Sequence, residues 1–129
     1  MKKTREQREL VAFITVQTGV DLIISFAVCE PDDPSDIETL TILRTPKYEV
    51  FLEEWERGAS VSFRRELEGD ETELLREVFY APDEKYITLR TSHQTYKLDV
   101  RKVDPSELSA MCDVFRKMNF DSIIRLAGV

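Results

Sequence analysis

Apolar and polar side chains alternate with period two along much of this chain, and toward its C-terminal end the spacing changes to that of a helix. Tyr86–Thr91 and Thr95–Arg101 carry the clearest alternation. Ile87 and Leu89 share a face with Tyr96, Leu98 and Val100 when an even-numbered loop joins the two runs. This spacing predicts a hairpin with one apolar face. A one-residue slip would turn the whole apolar set outward, so burial pins the register. In Val20–Cys29 both alternating sets are largely apolar, which predicts a strand buried on both sides. Thr18-Gly19 supplies a turn before it, and Leu10–Thr18 is rich in β-branched residues. There a short helical turn, with Thr4 and Gln7 at capping-box spacing, is expected to give way to strand.

Further strands are expected over Ile37–Arg44, over the alternating Tyr48, Val50 and Leu52, and at Val61 and Phe63. Glu30–Asp36, with its prolines and aspartates, reads as a loop, and Glu66–Glu73 as an exposed turn. Leu74–Tyr80 suits either a helical turn or a strand, because short apolar runs do not separate the two. The helical pattern opens at Asp104-Pro105-Ser106-Glu107. Asp104 can accept from orphan N–H groups of the first turn, Pro105 at the first helical position has no N–H to waste, and Glu107 completes a capping box. Leu108, Met111, Cys112, Phe115 and Met118 then form one apolar stripe, with Asn119 as terminator. Phe120, Ile123, Ile124 and Leu126 are expected in a short final turn capped by Asp121.

Together these elements predict one α+β domain over residues 1–129: a single antiparallel β-sheet or half-barrel of six to seven strands, with a C-terminal amphipathic helix packed on it. In layout alone this order is similar to a pleckstrin-homology-like architecture, and no family motif accompanies it. Ile37–Arg44 is expected at an uncovered edge where a second copy could pair, so a homodimer is one expected state.

Charge narrows the partners. Lys and Arg number 18 against 25 Asp and Glu, a formal −7. A net negative domain repels a phosphate backbone at long range, which disfavours nucleic acid. No segment reaches the ~18 apolar residues of a membrane span, and no signal-peptide pattern is read, so the expected location is the cytoplasm. The two cysteines, Cys29 and Cys112, lie far apart in apolar segments and are expected as free buried thiols.

Candidate chemistry is sparse. His93, the single histidine, sits beside Ser92 in a hairpin loop, and a nucleophile and base need a third orienting group. With one His and two distant Cys there is no zinc spacing, and the acidic loop lacks the calcium-loop signature. Phosphate-cradling glycine motifs and the nucleophile elbow are missing too. No catalytic residue, cofactor or metal is therefore expected, and the reading is non-enzymatic: a protein-binding module for an unidentified protein partner or for itself. The residues singled out for such a surface are Asp32, Asp33 and Asp36 in the acidic loop, Trp55, and Arg90 and Lys97 on the hairpin's polar face. Trp55 is the lone tryptophan: the residue type is buried on average, which favours the core, yet it is over-represented in binding hot spots. The alternative is a small-ligand or nucleic-acid-binding domain using the outer face of the 86–101 hairpin.

Overall fold

The computed structural model describes residues 8–30, 33, 35–63 and 73–129. Seven strands come first: β1 (Glu9–Gln17), β2 (Leu22–Cys29), β3 (Ile37–Arg44), β4 (Ser60–Phe63), β5 (Leu75–Ala81), β6 (Tyr86–Thr91) and β7 (Thr95–Asp99). Helix α1 (Pro105–Met118) follows, and β8 (Arg125–Ala127) comes last. The sheet is mixed and eight-stranded, in the order β4-β3-β2-β1-β7-β6-β5-β8. This corrects the expected antiparallel sheet of six to seven strands. β1 runs parallel to β7, and β8 parallel to β5. The parallel pairs are consequences of connectivity: β1 and β7 meet across the whole meander, and α1 carries the chain back so that β8 lies alongside β5.

The β4 end of the sheet also touches β5. Ser60 bridges Leu74, Val61 N–H donates to the Glu73 carbonyl, and Leu75 N–H donates to the Ala59 carbonyl. The sheet therefore curls until strands from its two halves meet, and the inward residues form a common core. Ile24, Phe26, Leu40, Ile42, Ile87, Leu89, Leu98 and Val100 are all fully buried there. Phe63 meets Tyr96 edge-to-face across it, with ring centroids 5.8 Å apart. The hairpin register is the expected one, Leu89 opposite Tyr96 and Ile87 opposite Leu98.

α1 packs on β1 and β2 with Leu108, Met111, Val114, Phe115 and Met118 buried. Asp104 caps it as expected, accepting from Ser106 N–H at 2.8 Å. Glu107 does something else. β1 pairs with β7 only at Glu9 and Leu10, and beyond that Glu107 Oε1 accepts from Ile14 N–H at 2.9 Å. The carboxylate thereby takes up a strand donor that β7 does not reach.

Four other expectations change. β3 is not an edge, since β2 and β4 cover both its sides. Thr45-Pro46 ends that strand, because proline has no N–H for the ladder, and Pro46–Phe51 winds into a 3-10 helix, followed by a shorter one at Glu54–Glu56. Leu126 belongs to β8 rather than to a final turn, and Asn119 holds the approach by exchanging two hydrogen bonds with the backbone of Ile124, each 2.9 Å. Asp121 pairs with Arg44, and its carboxylate also accepts from the Ile123 backbone N–H two residues on. Leu74–Tyr80 resolves as strand. The expected helical turn at Thr4 and Gln7, and the turn from Glu66 to Thr72, lie outside the described residues. Glu73, at the end of that turn, is buried rather than exposed.

Candidate functional site

Arg44 organises one end of the sheet. It is the last residue of β3, its side chain is fully buried, and all five guanidinium N–H groups have acceptors. Nε and Nη2 donate to the two carboxylate oxygens of Glu49 at 2.7 and 2.9 Å. Nη1 and Nη2 donate to Asp121 at 3.1 and 2.7 Å, and Nη1 also donates to the Met118 carbonyl at 2.7 Å. Phe120 lies over the guanidinium, 4.2 Å from its carbon to the ring centroid. Burial works against the charge, but the Glu49 and Asp121 acceptors outweigh it and hold the Arg44 proton more tightly than usual. The same contact, chiefly the hydrogen bond, keeps the Asp121 carboxyl below the usual aspartate range. One side chain thus ties the Pro46–Phe51 turn to the end of α1.

What the clamp displays is apolar. Tyr48, Val50, Phe51, Leu52 and Trp55 are all exposed, Phe51 at 82% and Trp55 at 75%. Phe120 and Ile123 add two more exposed apolar side chains, and Ile123 lies beside Gly58. Below them runs a groove of about 760 Å³, within the roughly 300–1,000 Å³ of small-ligand clefts. Tyr48, Leu52 and Trp55 line it together with Leu43, Gly58 and Leu74, and Arg76 and His93 line it as well. Ser92 Oγ lies 2.9 Å from His93 Nδ1 and accepts from Leu74 N–H at 3.0 Å. That hydroxyl is engaged in fixing the hairpin turn against β5.

No protein-family model, curated protein or solved structure matches this chain.

The residues singled out from sequence do not converge. Trp55 lines the groove, and its exposure corrects the core reading. Asp33 and Asp36 sit in the β2–β3 connection, at the other end of β3 from Arg44, roughly 25 Å along a strand of this length. There the Asp33 carboxylate accepts from Ser35 N–H and Oγ, closing a local turn. Asp32 lies outside the described residues. On the hairpin's outer face acids interleave with bases: Arg90 pairs with Glu77 at 2.7 Å and Arg101 with Asp99 at 3.3 Å. Arg8 covers the Tyr86 ring at 3.9 Å. Lys97 opposes Thr88 in that same pairing. Sequence reasoning missed Arg44, Glu49, Tyr48, Phe51 and Arg76. The legible signal was Arg44-Thr45-Pro46, a charge and a strand breaker directly after a buried apolar run.

Among the described residues no three His, Cys, Asp or Glu side chains gather where they could hold a metal ion. Both cysteines are free and half-buried, and burial pushes the Cys112 thiol up. No helix among the described residues is long and apolar enough to cross a membrane.

Proposed function

We propose that this protein is a binding module that docks a protein partner on the Tyr48–Trp55 face. The observation that carries the reading is the set of five large apolar side chains held in water by a buried five-donor clamp. Aromatic side chains present roughly 150–250 Å² each, so at their exposures Tyr48, Phe51 and Trp55 alone leave roughly 300–500 Å² in water. A patch of that size is about the largest that a typical folded monomer exposes, and such patches are often functional. The clamp matters because a preordered face loses less entropy when it binds. The interleaved Glu77 and Asp99 count against the alternative on the hairpin's outer face, since nucleic acid needs a continuous positive patch.

The test is site-specific photocrosslinking in living cells. A photoreactive phenylalanine analogue at position 51 should yield a discrete protein adduct. The same analogue at Asp83, in the β5–β6 turn, should yield none, and Trp55→Ala should abolish the position-51 adduct without changing the thermal melt. Equal adducts at both positions, or none at position 51, would remove the reading. An adduct at twice the chain's mass assigns the partner as a second copy.

A further inference from the structure

The geometry points to Arg76 as the anchor for a carboxylate on the docked partner: a glutamate or aspartate side chain flanked by large apolar residues. This rests on the docking reading above and adds the chemistry of what is docked. Three observations meet at this residue.

Arg76 is the extra residue of a β-bulge. Leu75 pairs with Thr91 and Glu77 with Arg90, so Arg76 has no opposite number on β6. A bulge re-aims the side chain it carries, and this one lines the same groove as Trp55. Arg76 is exposed and makes no hydrogen bond or ion pair among the described residues. The adjoining carboxylate that could have neutralised it, Glu77, is held by Arg90 at 2.7 Å and faces Arg125 at 3.9 Å. Neither acid that lines the groove pairs with Arg76. Glu49 is spent on Arg44, and Glu56 Oε1 accepts from Glu53 N–H at 3.0 Å. What remains is an open guanidinium fork in a groove that Tyr48 and Trp55 also line, the donor geometry that matches a carboxylate.

The exposed patch fixes the source of that carboxylate. Val50 and Phe51 are the two most exposed of the aliphatic and phenylalanine side chains here, and neither lines the groove. A partner must therefore extend beyond the groove to cover them, and a carboxylate borne on a side chain lets the partner run on from Arg76 in both directions. The chain's overall charge of −7 does not oppose this at contact, because exposed charges beyond roughly 8 Å are screened at physiological salt.

Trp55 is the one tryptophan and lines the groove, so its emission reports occupancy directly. The probes are three peptides: N-acetyl-Leu-Glu-Phe-amide, N-acetyl-Leu-Gln-Phe-amide, and N-acetyl-Leu-Gln-Phe with a free C-terminal carboxylate. Each is titrated into the full chain to about 10 mM, which covers Kd values on the order of 1 mM. The Glu peptide should blue-shift Trp55 emission and bind about threefold or more tightly than the Gln amide, with the advantage shrinking as salt is added. Arg76→Gln should erase that advantage and leave the Gln amide unaffected. Equal binding of the Glu and Gln amides overturns the inference and leaves the docking reading standing. A free-acid peptide that matches the Glu peptide moves the anchor's preference to chain ends and overturns the assignment to a side chain. If no peptide shifts the emission, the inference falls, and the position-51 photocrosslink decides the docking reading by itself.

Discussion

At the residue scale, Arg44 shows how much one buried ion can be asked to hold. Its guanidinium is out of water, and the cost of that is offset only because Glu49, Asp121 and the Met118 carbonyl supply an acceptor for every N–H. Arg44→Met fills similar volume but leaves the Glu49 carboxylate, one-tenth exposed, without its counter-ion. Removing one partner from such a cluster costs about 3–5 kcal/mol, and urea denaturation of the variant should show a loss of that order. Arg44→Lys should rescue only part, since a single ammonium cannot reproduce two bidentate forks. The same contact sets an acid dependence. The folded Asp121 carboxyl sits below its ordinary value because Arg44 donates to it, so its contribution is present above about pH 4 and is lost as pH falls through the folded value. Glu77 beside Arg90, and Asp104 beside Ser106, are lowered too and act in the same direction. Stability measured from pH 6 down to pH 2 should fall, and Asp121→Asn should make that fall shallower. An unchanged slope would mean that Arg44 does not stabilise the Asp121 anion.

At the element scale, the legible parts were those whose period is enforced by burial on one face. The 86–100 hairpin, Ile37–Arg44 and the α1 stripe all declare themselves because each shows a repeating apolar set to a single core. Tyr48, Val50 and Leu52 show the same alternation and are not a strand. Their apolar character answers to no core at all, so periodicity carried no information about backbone conformation there. β8 was hidden for a different reason. Its two outer residues, Arg125 and Ala127, are exposed, and its place is fixed by pairing with β5, which no local pattern records. Gly128 fits that placement: it adopts φ +79, and a Cβ there would collide with the Tyr80 carbonyl oxygen. Glu107 was legible as a helix-start acid but not in its partner, since the Ile14 N–H becomes available only when β1 diverges from β7. Glu107→Ala would leave that part-buried donor without an acceptor at a cost of about 1–3 kcal/mol. Amide exchange at Ile14 should quicken well before the rest of β1. Asp104→Ala, which removes only the cap, should cost about 1 kcal/mol and leave Ile14 exchange as in the parent protein.

At the scale of the whole molecule, the core and the candidate site make opposite demands on the same kind of side chain. Leu98 and Phe115 are buried because water excludes them, whereas Phe51 and Trp55 stay in water although the fold has an interior to offer. Sequence separates these poorly, for a tryptophan between glutamates carries the same letter whether it anchors a core or faces a partner. Only the sheet's curl and the Arg44 clamp decide which side of the surface it occupies. The distinction has a measurable consequence. Truncating a buried leucine removes packed surface and opens a cavity, so Leu98→Ala should lose about 2–5 kcal/mol. Phe51→Ser with Trp55→Ser removes two of the largest side chains in the chain, and as substitutions at exposed positions they should change stability by no more than about 0.5 kcal/mol each. The double variant should also stay in solution at higher concentration, because less apolar surface is left for non-specific association. A loss of about 3 kcal/mol or more would place these rings inside a packed environment, and the face they are taken to form would not exist. Stability that holds in Trp55→Ser alone, while the photocrosslink from the analogue at position 51 disappears, would separate binding from folding on this surface, since the side chain removed would then have had no other work to do.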